Sequence, residues 1–284
     1  MDTGTVVGVD VGYSAASRTT SFCRLDWDRL VVSFEFALVG VVETERRETL
    51  SSLISSSPVL GIALDGPLTR SLRLIRHYRS AEALLSTGVF QKRGKPGQTS
   101  VPVGQELHRH ATQLANIALD SAEIADASHS DAIHQRRIVE AFPNMFLAAL
   151  IDESNLPVLA RNATDRYWEL LVRSGRLETF IHAILPGRRP RQPLDTVTNH
   201  DHRASLVCAL TALCVSSDRH VAAGDAEDGD IMLPPDEVWG KALGNVCAWP
   251  AAALRTNLPK VRTSPSNHPN HRNARITRAR GAWD

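Results

Sequence analysis

The stretch Thr5–Tyr13, TVVGVDVGY, constrains this chain more than any other. It is β-branched and almost wholly apolar, the pattern of a strand buried on both faces at the centre of a sheet. Yet it carries Asp10. A second apolar run, Gly61–Leu68 (GIALDGPL), is built the same way: Asp65 closes it and Gly66-Pro67 stops it. Burying an unpaired carboxylate is expensive, so two acid-bearing central strands demand a reason.

The segments between these runs suggest how they meet. TTSFCRLDW and RLVVSFEFALV, separated by a short turn at Asp28, read as a hairpin. ETERRETLSSLISS has helical character, with Leu50, Leu53 and Ile54 on one side. After Asp65 comes a mostly helical stretch over residues 69–135, broken by the Gly- and Pro-containing loop QKRGKPGQTSVPVGQ. RRIVEAFP then reads as a short strand ending near Glu140, and NHDHRASLVCALTALCV as a buried helix with a polar start. Three meandering strands followed by two that arrive through helical crossovers make a mixed five-stranded α/β sheet. Right-handed crossovers set its order at 3-2-1-4-5. The expected organisation is one domain over residues 1–254, with a helical insert at 69–135 capping the carboxyl edge of the sheet. A basic tail follows over 255–284, with seven Lys or Arg, one Asp and few large apolar residues, a composition that predicts disorder.

In that order the ends of strands one, four and five lie side by side, which brings Asp10, Asp65 and Glu140 to the edge where open α/β sheets bind ligands. Two carboxylates about 4 Å apart repel by roughly 4 kcal/mol at an effective dielectric of about 20. Such a cluster persists if one group stays protonated or if cations sit among the acids. An all-oxygen donor set favours hard divalent cations such as Mg²⁺ or Mn²⁺. Strand alternation supports this: Gly8, Asp10 and Gly12 share one face, as do Gly61, Ala63 and Asp65, so small residues flank each acid and leave room for ions and a substrate backbone. Each acid also has an ordinary explanation. Asp10 could bond nearby backbone N–H groups, Asp65 could open a turn, and Glu140 could simply precede a helix begun at Pro143.

Composition excludes little. A formal net charge of +1 gives no global attraction for nucleic acid, so any basic surface is local. The four cysteines form no C-x-x-C pair and predict no zinc site. The N-terminal MDTGTVVGVD lacks the basic and apolar regions of a signal peptide, and no run of about 18 apolar residues suggests a membrane span. A cytoplasmic protein is the expectation.

Taken together, GVDVGY, IALDGPL, VEAFPN, DHRASLVCALTA and DGDIMLPP, with RSAEALL after the fourth strand, resemble the successive motifs of the predicted ribonuclease H-like nucleases, a domain of unknown function. The resemblance covers residues 6–235 and leaves out the tail. It implies a ribonuclease H-like fold and metal-dependent hydrolysis of phosphodiester bonds in DNA or RNA, with Asp10 bridging two Mg²⁺ or Mn²⁺ ions and Asp65, Glu140 and Asp201 completing their shells. The fourth acid departs from the pattern, because the position one turn after Asp201 is Ala204-Ser205. Asp201 or Asn199 could equally cap the helix, and His200 and His202 stand beside them.

Arg70, Arg73, Arg76 and Arg79 recur every third residue after Asp65, and QKRGKPG (Lys92, Arg93, Lys95) and GRRPRQP add two basic loops. These, with the Gly12 backbone, are the expected contacts to a phosphate backbone. Aromatic residues are only 5 % of the chain, which argues against a base-stacking platform. Two other functions fit the same core. GVDVGYS resembles the phosphate loop of actin-like and sugar-kinase phosphotransferases, although no second G-x-D-x-G strand follows. The fold could also serve as a non-catalytic binding module.

Overall fold

The structure, a computed structural model, describes residues 2–55, 58–69, 78–94, 96–122, 138–157, 163–244, 247–263 and 269–279. The strands are β1 (Gly4–Asp10), β2 (Thr20–Trp27), β3 (Val31–Val39), β4 (Ile62–Asp65), β5 (Ile138–Ala141), β6 (Arg189–Pro190), β7 (Val221–Asp225), β8 (Gly229–Leu233) and β9 (Arg275–Arg278). The helices are α1 (Glu43–Ile54), α2 (Ser80–Ser86), α3 (Pro102–Ser121), α4 (Pro143–Ala149), α5 (Ala163–Arg173), α6 (Arg176–Ile184), α7 (His200–Ser216) and α8 (Trp249–Thr263).

All nine strands join one mixed sheet in the order β6-β3-β2-β1-β4-β5-β8-β7-β9. The order 3-2-1-4-5 lies intact at its centre, with β1, β4 and β5 parallel and β2 and β3 antiparallel beside them. The expected five strands are nevertheless too few. A two-residue strand extends the β3 edge, and beyond β5 lie the β7–β8 hairpin and β9. Strands this short, or drawn from a polar tail, carry no two-residue hydrophobic rhythm to announce them.

The tail departs from expectation in the same way. Its described residues form most of α8 and all of β9. Val261, Ala274 and Ile276 are buried, and Asn257 donates from Nδ2 to the carbonyls of Leu84 and Thr87. A few apolar residues at the right spacing suffice where a sheet edge and a helix face already wait for them.

The sheet has two covered faces. Val7, Val9, Val11, Ile62, Leu64 and Ile138 pack with α1 and α3. Val6, Cys23, Ala63, Val139 and Ala141 pack with α7 and its neighbours on the other side. The α7 helix lies so close to β1 that a Cβ on Gly8 would stand 2.1 Å from the Ala209 amide nitrogen and the Ser205 carbonyl oxygen. Those are backbone atoms, which cannot swing aside. Gly8→Ala should therefore push α7 off the strand and destabilise the protein by roughly 1–3 kcal/mol or more, measured by chemical denaturation. A neutral substitution would show that α7 slides freely over β1. Among the described residues, no helix is long and apolar enough to cross a membrane.

Candidate metal and phosphodiester site

Asp10 and Asp65 each end their strand, and they are register partners across the β1–β4 ladder. Partners in register share a face, so both lie on the α7 side. Both residues keep some contact with solvent at the open edge, while packing around their carboxyls raises the proton affinity of each. Asp10 is held well above the usual carboxylate range by burial, then by Asp65 and Asp201. Asp65 is raised to about 7, first by burial and then by Glu140. The two acids thus form a half-buried pair that resists carrying two negative charges.

Asp201 enters from the first turn of α7. Asn199 is the cap of this helix, its Oδ1 accepting from the His202 amide at 3.0 Å, so Asp201 is spared that role. Burial raises Asp201, the neighbouring His200 and His202 oppose the rise, and Asp165 adds to it. Ser205, one turn on, stands where a further acid was expected. Its Oγ lies 2.8 Å from the Oγ of Ser21, the register partner of Asp10, which ties α7 to β2. His200 is drawn to Asp165, 3.0 Å from its Nδ1. The His202 ring stacks on Phe36 with centroids 4.5 Å apart, and burial lowers its pKa against the pull of Asp201.

Glu140, expected as a third ligand, faces away from the pair, although its charge still acts on Asp65. In register, Ala141 opposes Asp65, whereas Glu140 opposes Leu64 and so lies on the α3 side. Its carboxylate is occupied by Arg79, with Nη2 to Oε1 at 2.6 Å and Nη1 to Oε2 at 3.0 Å, and by the Leu68 amide at 3.0 Å. Arg79 also donates to Glu82 at 2.9 Å and to the Asp228 carbonyl at 3.0 Å. Burial opposes the charge of Arg79, but Glu140 and Glu82 outweigh it and hold the guanidinium protonated. Among the described residues, no group of three or more His, Cys, Asp or Glu side chains is gathered closely enough to hold a metal ion. Asp65 and Asp201 both act on Asp10, so these three acids are the ones that the strand ends and α7 bring near one another.

A second buried arginine braces the turn after Asp10. Arg46, 0 % exposed, donates from Nη2 to the Gly12 carbonyl at 2.7 Å and to Thr20 Oγ1 at 2.9 Å. Thr20 Oγ1 in turn accepts from the Gly12 amide at 3.2 Å. Gly12 has no room for a side chain, since a Cβ there would meet Thr19 Oγ1 at 2.2 Å.

The basic residues are arranged differently from expectation. Arg70, Arg73, Arg76 and Lys95 lie outside the described residues. Arg79 is buried within the ion pair rather than displayed on a stripe. Arg93 donates to the carbonyls of Leu156 and Pro157, at 3.1 and 2.8 Å, and serves the scaffold. Lys92 is exposed at the end of a 3-10 turn whose Phe90 packs on Trp249 of α8. In GRRPRQP, Arg189 pairs with Val31 at the start of β3, the opposite end of the sheet from Asp10.

Two features escaped the sequence reading: the inward turn of Arg46 and the Arg79–Glu140 pair. A charged residue in an apolar-poor helix reads as a solvated one, and only the i, i+3 spacing of Arg79 and Glu82 hinted at a local pair. In comparisons with known proteins, no family model, no curated protein and no solved structure matches the chain.

Proposed function

We propose that the chain is a metal-dependent nuclease of ribonuclease H-like architecture, hydrolysing phosphodiester bonds at the carboxyl edge of β1 and β4. The observation that carries this reading is the Asp10–Asp65 pair: two register-matched acids at adjacent strand ends, both with raised pKa values. Such a pair is relieved by keeping a proton or by taking a cation, and its donors are the hard oxygens that Mg²⁺ or Mn²⁺ prefers. Asp10 and Asp65 would hold the cation, with Asp201 closing the third side. A divalent cation bound there supplies a water acidic enough to attack near neutral pH and offsets charge developing on the phosphoryl oxygens.

The chain's own groups do the rest. Gly12 turns the chain tightly just past Asp10, where no side chain fits. Arg46 fixes that backbone. His202, its ring stacked on Phe36, stands beside Asp201 as a candidate proton acceptor. The sequence motifs of the first and fourth strands support nucleic acid as the substrate class.

The test uses labelled single- and double-stranded DNA and RNA oligonucleotides with Mg²⁺, with Mn²⁺ and with EDTA. Cleavage is expected only with a cation. Saturating Mn²⁺ at about a hundred times its dissociation constant should stabilise the protein by about 2.7 kcal/mol, raising Tm by roughly 5 °C. No cleavage of any substrate together with no thermal response to either cation overturns the reading.

A further inference from the structure

Glu140 and Arg79 form a deeply buried ion pair near the proposed site, at 4 % and 6 % exposure. The mechanism above does not use them. What they hold is informative. Glu140 Oε2 accepts from the amide of Leu68, three residues after Asp65. In the same turn the Pro67 carbonyl accepts from His108 Nδ1 of α3 at 2.9 Å, and a Cβ on Gly66 would press on Ala111 at 2.8 Å. The Gly66–Leu68 turn has no strand or helix ladder of its own, so these contacts from β5 and α3 fix its path. Arg79 locks the other side of Glu140 and joins it to Glu82 of α2 and to the entrance of β8.

We propose that Arg79 and Glu140 are positioning residues: they aim the Asp65 carboxylate by clamping the turn that follows it, and Glu140 does not ligate the metal. The inference rests on the nuclease reading for its catalytic consequence, and on geometry alone for the clamp. Both Glu140 oxygens are already engaged, by a forked guanidinium and an amide. A cation taking Glu140 would have to strip Arg79 of its partner in a buried setting, and breaking a buried pair from one side is strongly unfavourable. The register adds a second obstacle, because Glu140 projects toward α3 while Asp10 and Asp65 project toward α7.

The experiment compares the full wild-type chain with Glu140→Gln, Arg79→Lys and Asp65→Asn. It reads Mn²⁺ affinity by calorimetry, kcat and KM for cleavage, and amide exchange at Leu68. Under the proposal, Glu140→Gln and Arg79→Lys keep wild-type Mn²⁺ affinity and KM, while kcat falls about 10–100-fold, the range seen when groups that orient a metal ligand are removed. Asp65→Asn instead loses Mn²⁺ binding. Leu68 exchange speeds up in Glu140→Gln.

In the wild type, Mn²⁺ leaves Leu68 protected, because Glu140 never releases it. This wild-type measurement decides the matter even if a variant fails to fold. Loss of Mn²⁺ affinity in Glu140→Gln equal to that in Asp65→Asn, or faster Leu68 exchange on adding Mn²⁺ to the wild type, makes Glu140 a ligand and overturns the proposal. A wild type that binds no Mn²⁺ ends the nuclease reading instead. The clamp then stands if Glu140→Gln speeds Leu68 exchange and falls if exchange is unchanged.

Discussion

Asp10→Asn is expected to abolish the proposed metal-dependent cleavage and, without metal, to melt at a higher temperature than the wild type at pH 7. Both effects come from the same pair of acids. A bound ion contributes several kcal/mol of charge stabilisation, and about 1.4 kcal/mol is a factor of ten in rate. Losing a ligand of that ion should lower turnover by roughly a thousandfold or more. The gain in stability follows from proton linkage. Burial, then Glu140, raises Asp65 to about 7, and burial, then Asp65 and Asp201, holds Asp10 well above its usual range. A carboxyl whose pKa is higher in the folded than in the unfolded state contributes its stability fully below the unfolded value of about 4, and loses it as pH rises towards the folded value. For Asp65 the window is about pH 4 to 7. The loss is at most about 4 kcal/mol, three pH units at about 1.4 kcal/mol each. Asp10 adds a second proton to the same slope. In EDTA, wild-type stability should fall across this window about twice as steeply as that of Asp10→Asn. Denaturation at pH 5, 6 and 7 measures both slopes. Parallel slopes, or a mutant weaker than wild type at pH 7, would return Asp10 to the role of an ordinary strand aspartate bonded to its backbone.

Arg46→Ala is expected to destabilise the protein by roughly 3–5 kcal/mol, as when one member of a buried network is removed. The side chain is fully buried, and its guanidinium is spent on neutral acceptors. Nε donates to the Gly40 carbonyl at 3.0 Å, Nη1 to Gln113 Oε1 at 2.9 Å and to His110 Nδ1 at 3.0 Å, and Nη2 to Gly12 and Thr20. Truncation leaves a cavity and strips buried acceptors of a donor, a loss of about 1–3 kcal/mol for each acceptor left unsatisfied. Arg46→Lys keeps the charge but offers one ammonium to acceptors spread around a fork, so most of the loss should remain. Urea denaturation of both variants is the measurement. Changes under about 1 kcal/mol would mean the network is slack and the Gly12 turn holds itself.

The centre of the sheet was legible in the sequence because its strands are buried on both faces and read as unbroken apolar runs. The acids interrupting those runs were legible for the same reason, and Asp10 and Asp65 do meet in register. Glu140 was misplaced by a single residue. Alternation flips the face at every position, so a strand end known only to within one residue leaves the direction of its side chain open. Ala141, not Glu140, is the partner of Asp65. Asp201 was legible as an acid at the polar start of a buried helix, but that Asn199 rather than Asp201 caps it depended on atomic geometry. The buried arginines were hidden because nothing local distinguishes an arginine that turns inward from one that stays in water. The outer strands were missed or weakly read because β6 has two residues and β9 is embedded in polar sequence.

The close seat of α7 on Gly8 sets a timetable for synthesis. Among the described strands, the first to leave the ribosome lies in the interior of the finished sheet. One side of it waits for Ser205 and Ala209, about 200 residues later in the chain. At a translation rate of roughly 5–20 residues per second, β1 spends ten seconds or more without the helix that covers it. Until then its Gly-rich face and Asp10 are open to water, and the parallel partner β4 can pair with it but cannot seal it. Slowing elongation between codons 65 and 200 should therefore lengthen the time during which nascent chains are captured by chaperones, whereas slowing it after residue 216 should not.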